Sequence, residues 1–131
     1  MDPVVHFEIP YDNKTRVAGF YEKAFGWETK ALGEEMGNYV LATSSAVGED
    51  NLPSPGTING GFFPKIAGRP QQQPSVVIAV EDVTKAMESV RQAGGKILGE
   101  PMDIPGVGKY VSFNDSEGNR LSMLQAVPLA Q

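Results

Sequence analysis

Two stretches of the chain carry helical periodicity. Across residues 14–25, apolar side chains fall at Val17, Phe20, Tyr21, Ala24 and Phe25, the three-and-four spacing of one buried face. Asn13 stands where an N-cap belongs, and Gly26 where the chain must leave the helix. A second helix is predicted over residues 83–93, with Val83, Ala86, Met87 and Val90 on one face, Asp82 as its cap and Gly94-Gly95 at its end. Elsewhere the pattern alternates. Val5, Phe7 and Ile9 alternate with His6, Glu8 and Pro10, the period of a strand with one apolar face. Further strands are predicted at residues 39–43, 58–63, 76–80, 109–113 and 120–125, with short ones near 29–32 and 96–98. The polar stretch 44–56 reads as a long loop, and residues 67–74 have the composition of a linker. Asn59-Gly60-Gly61 reads as a β-bulge that lets the sheet curl, the alternative being a stretch of bare backbone brought close to a ligand.

The chain repeats itself. Displaced by 69 residues, Asn13 falls on Asp82, Val17 on Ala86, Tyr21 on Val90 and Gly26 on Gly95, while Tyr39-Val40 meets Tyr110-Val111 at a displacement of 71. Each half therefore reads β-α-β-β-β, over about residues 3–66 and 74–127 of a single domain.

Composition narrows the function. Lys and Arg total 11 against 16 Asp and Glu, a net charge of −5, which argues against a nucleic-acid partner because no basic footprint is present. No apolar run is long enough to cross a bilayer, and no signal-peptide pattern opens the chain, so a cytoplasmic protein without a membrane partner is expected. With no cysteine there is neither a disulfide framework nor a thiolate nucleophile or metal ligand. Gly106-Val107-Gly108 lacks the strand–glycines–helix context of a phosphate loop and reads as a turn. Phe62, Phe63 and Trp27 read as core.

The repeat, together with His6 on the first strand, Phe25-Gly26-Trp27 after the first helix, Val80-Glu81-Asp82-Val83 before the second and the closing Asn114-Asp115-Ser116-Glu117-Gly118-Asn119-Arg120 turn, resembles the glyoxalase / bleomycin-resistance / extradiol dioxygenase family, the vicinal oxygen chelate superfamily. The resemblance spans nearly the whole chain. It implies an α+β fold in which two βαβββ modules form an open, curled sheet or barrel around a cavity, commonly within a homodimer. It also implies metal ligands on the first and last strands of each module. His6 stands at the first of these positions. Its repeat-mate is Ser75, the closing strand supplies Ser122 where family enzymes have Glu, and the matching first-module strand offers Asn59 and two glycines. Neutral hydroxyls do not assemble a divalent site, so no metal or other cofactor is expected.

What remains is a small-molecule site. Strand parity puts His6 and Glu8 opposite the apolar face of the first strand, and Ser75, Val77, Ala79 and Ser122 on the corresponding faces in the second module. The expected function is binding of a small organic ligand by His6, Glu8, Asn59, Ser75, Val77, Ala79 and Ser122, with His6 and Glu8 as the candidate catalytic pair. The alternative is a metal-dependent lyase, isomerase or dioxygenase of the glyoxalase type, using a divalent metal held through His6.

Overall fold

The structure is a computed structural model and describes residues 1–46, 49, 54–69 and 72–127. Residues 47, 48 and 50–53 of the expected loop, and 70 and 71 of the expected linker, lie outside the described residues. Two compact units are present. One is His6–Pro74; the other is the chain from Ser75 together with Met1–Val5.

The first module runs β1 (Val4–Tyr11), α1 (Lys14–Phe25), β2 (Glu28–Ala31), β3 (Val40–Thr43) and β4 (Asn59–Pro64). Its strands lie in the order β2-β3-β4-β1, with β1 parallel to β4 and the other pairs antiparallel. Asn13 caps α1 as expected, its side chain accepting from Arg16 N at 2.8 Å. Gly26 ends the helix at φ 73, a left-handed conformation in which glycine has no Cβ to clash. Tyr11, Val40, Ala42 and Phe62 form the buried core, and Phe7, Ile9, Val17 and Tyr21 close over it. Tyr21, Trp27 and Phe62 form a three-ring cluster, with Tyr21 stacked on Trp27 at 4.6 Å and on Phe62 at 5.1 Å and the other two rings 6.4 Å apart.

The second module repeats the order as β5 (Ser75–Ala79), α2 (Val83–Gln92), β6 (Lys96–Ile104), β7 (Gly108–Asn114) and β8 (Arg120–Ala126). Its strands lie β5-β8-β7-β6, again with the first and last strands parallel. Asp82 caps α2 by accepting from Lys85 N. Val83, Val111, Phe113 and Met123 form its core, packed by Ile78 and Val80. The N-terminus contributes a hydrogen bond to this unit, Ala79 N donating to Pro3 O at 2.9 Å. The fold is therefore α+β, built from two βαβββ modules of identical connectivity.

Three expectations need correction. Phe20 and Phe25 are 57% and 64% exposed, and no residue of α1 is buried. Only Val17 and Tyr21 of that stripe reach the core, because an apolar stripe wider than the surface beneath it leaves its flanks in solvent. Gly60 and Gly61 form no bulge, since the β1–β4 register runs unbroken from His6↔Asn59 to Tyr11↔Pro64. They are glycines for space: a Cβ on Gly60 would strike Phe7, and one on Gly61 the phenol ring of Tyr39. The register shift lies on β6 instead, between Leu98 and Met102, where Gly99 has φ 86 and the strand runs well past the expected residue 98.

Candidate functional site

Strand pleating decides which side chains are available. In the first module Phe7 and Ile9 pack into the core, so His6 and Glu8 lie on the opposite face of β1. His6 pairs with Asn59 and Glu8 with Gly61 in the parallel ladder. The His6 imidazole is exposed, with Nδ1 3.1 Å from Asn59 O. The partner at Nδ1 is thus a backbone carbonyl and not a carboxylate. The Asn59 side chain is engaged as well: its Oδ1 accepts from Ser44 N at 2.9 Å. Glu8 is half-buried. Its ladder partner Gly61 is covered by Tyr39, which brings that phenol to the same face.

In the second module Ile78, Leu121 and Met123 join the helix-side core, and the alternate residues Ser75, Val77, Ala79, Ser122 and Leu124 form the other face. Val77 is paired with Ser122, and Ala79 with Leu124. Ser122 is 5% exposed, and its hydroxyl lies 2.7 Å from Tyr110 Oη and 3.0 Å from Ser112 Oγ. A hydroxyl has one proton to give and two lone pairs, so Ser122 can satisfy both neighbours at once. Ser75 donates to Arg120 O at 2.8 Å. The face is therefore uncharged across its centre, where the hydroxyls of Tyr110, Ser112 and Ser122 lie on the face that Val77, Ala79 and Leu124 share, Val77 and Leu124 being buried like Ser122.

Tyr39, Ser44, Tyr110 and Ser112 escaped the sequence reading. The repeat carried a signal for two of them, because Tyr39 and Tyr110 occupy matching positions. Among the described residues no three His, Cys, Asp or Glu side chains stand together as a metal-holding group. No helix among them is long and apolar enough to cross a membrane. A carboxyl with a shifted titration lies away from this face, in the β7–β8 turn. Asn119, through its side-chain and backbone N–H groups, and the Glu117 N–H donate to Asp115 and hold its carboxyl below the ordinary aspartate value.

Comparison with known proteins places these modules. A family model described as the Glyoxalase/Bleomycin resistance protein/Dioxygenase superfamily matches residues 4–123. A "Glyoxylase-like domain-containing protein" of Didymella fabae is 30% identical over 115 residues, covering 86% of this chain and 84% of its own. Longer relatives from Mycobacterium tuberculosis and Arabidopsis thaliana are 32% and 30% identical, and the chain spans only 43% and 34% of their lengths. Among solved structures, methylmalonyl-CoA epimerase from Mycobacterium tuberculosis superposes with a TM-score of 0.67 at 11% identity, covering 95% of this chain and 88% of its own.

Proposed function

The chain belongs to the Glyoxalase/Bleomycin resistance protein/Dioxygenase superfamily, and on that premise we propose that it binds a small organic molecule through neutral polar side chains, without a divalent metal. The neutral donor set at the four expected ligand positions carries the reading. A divalent cation needs several imidazole or carboxylate donors on one point. The four positions expected of ligands supply one imidazole, His6, an amide at Asn59 already engaged by Ser44, and the hydroxyls of Ser75 and Ser122. These residues do not fit the metal. Val77, Ala79 and Leu124 beside these hydroxyls give the mixed apolar and neutral polar composition that a small organic molecule would suit. Homodimerisation and a cytoplasmic location belong to the same proposal, and light scattering tests the first.

A metal-dependent lyase, isomerase or dioxygenase is the competing reading, with His6 as the donor in its favour. Dialysis against Zn²⁺, Ni²⁺, Fe²⁺ and Mn²⁺ followed by elemental analysis separates the two, run beside a thermal-shift screen of small molecules. The expected result is no stoichiometric metal and a ligand whose binding is abolished by Ala79→Phe with the fold intact. Retention of about one metal per chain, lost on His6→Ala, overturns the reading.

A further inference from the structure

We propose that Ser44 and Asn59 are positioning residues that fix the tautomer of His6, leaving Nε2 as a permanent hydrogen-bond acceptor. Nδ1 lies 3.1 Å from Asn59 O, and a carbonyl oxygen has lone pairs but no proton. Nδ1 must therefore carry the hydrogen, and in the neutral ring Nε2 then keeps its lone pair. Left to itself in water, a histidine side chain favours the opposite arrangement, with the proton on Nε2. The fold has to hold the less favoured form.

It does so by bracing the carbonyl. Asn59 is the first residue of β4, where a strand end would otherwise fray. Its side chain and the peptide before it are both held by Ser44, the residue after β3. Ser44 N donates to Asn59 Oδ1 at 2.9 Å, and Ser44 Oγ donates to Ile58 O at 2.6 Å. With the preceding carbonyl and the Asn59 side chain both held, the Asn59 carbonyl has little freedom to turn away from the ring. The parallel pairing of His6 with Asn59 sets the imidazole beside it. This is the arrangement in which a second group orients the ring and decides which nitrogen faces outward.

The consequence is chemical. A neutral His6 can accept at Nε2 and cannot donate there, so whatever meets it brings an O–H or N–H group. That use of Nε2 rests on the ligand-binding reading above; the tautomer does not, and can be measured without a ligand.

His6 is the single histidine of the chain, so two-bond ¹H–¹⁵N correlation spectra of the full-length ¹⁵N-labelled protein report it without assignment. In mildly alkaline solution, where an ordinary imidazole is neutral, the expected spectrum has a protonated Nδ1 and an unprotonated Nε2. Asn59→Ala should lower the ratio of the Nδ1–H to the Nε2–H form by about fivefold, the weight of one net hydrogen bond. Asn59→Asp should restore it, since a carboxylate oxygen still accepts from Ser44 N. Ser44→Ala removes only the bond to Ile58 O and should give a smaller change, about twofold, which carries the test should Asn59→Ala fail to fold. A wild-type spectrum showing Nε2–H overturns the proposal, as does an unchanged ratio in the folded variants.

Discussion

Tyr110 reaches past its own ladder partner, Leu124, to place its hydroxyl 2.7 Å from the Ser122 hydroxyl, the residue one pleat away on the same face of β8. Ser112, directly opposite Ser122, completes the cluster from the other side. Three hydroxyls on two adjacent strands thereby satisfy one another where water has little access. Buried hydroxyls are stable only when paired, so this cluster is stabilising as a unit.

Removing its centre should show that. Ser122→Ala is expected to destabilise the protein by about 1–2 kcal/mol, because Ser112 and Tyr110 each lose a partner. A Ser122→Ala/Tyr110→Phe double mutant should reveal a coupling of about 1 kcal/mol between the two positions. Urea unfolding of the four proteins checks both values.

The first module predicts a contrast between two phenylalanines. Phe62 is fully buried against Tyr21 and Trp27, and Phe62→Ala should cost about 3–5 kcal/mol. Phe20 touches Tyr21 edge-on but is 57% exposed, so Phe20→Ala should cost less than about 1 kcal/mol. Equal losses in denaturant midpoint would contradict this assignment of the core.

Gly61 should tolerate no side chain. Gly61→Ala drives a methyl group into the Tyr39 ring and should destabilise by about 1–3 kcal/mol. Tyr39→Ala in the same chain should recover part of that loss, a rescue that thermal melts of the single and double mutants would detect.

Asp115 gives the protein an acid-sensitive turn. Its folded carboxyl titrates below the ordinary aspartate value because the Asn119 side chain and the Asn119 and Glu117 backbone donate to the ionised form. A lowered folded value means that the contribution is complete above the ordinary aspartate range and is lost as pH falls through the folded value. Asp115→Asn should therefore flatten the acid limb of stability against pH while leaving its neutral side parallel to wild type. Urea midpoints from neutral pH into the acid range test the sign.

A fragment of residues 74–127 should not fold cooperatively. It lacks Met1–Val5, which belong to the same compact unit, and with them the Pro3 carbonyl that pairs Ala79 N. A cooperative melt and dispersed amide spectrum from that fragment would refute the expectation.

Much of the architecture was legible along the chain because it depends on neighbours close in sequence. Asn13 and Asp82 cap helices by bonding backbone three residues on, and alternation alone sorted Phe7 from His6 and Ile78 from Val77. The same locality explains two misreadings. Periodicity marked Phe20 and Phe25 as apolar without revealing how much surface lay beneath them. Two adjacent glycines looked like a bulge when the register around them is unbroken.

The helices, the strand parity, the repeated βαβββ order and the serines at positions 75 and 122 could all be read along the chain. What those residues touch follows from the folded chain alone. Ser44 reaches Asn59 from 15 residues away, Ser112 reaches Ser122 from 10, and His6 meets the Asn59 carbonyl across 53. Such pairs are fixed by cross-strand register, and a shift of one residue would send every side chain to the opposite face. Local propensity can specify a pleat, but the partner on the next strand is chosen by how the strands of each module pair over that module's core.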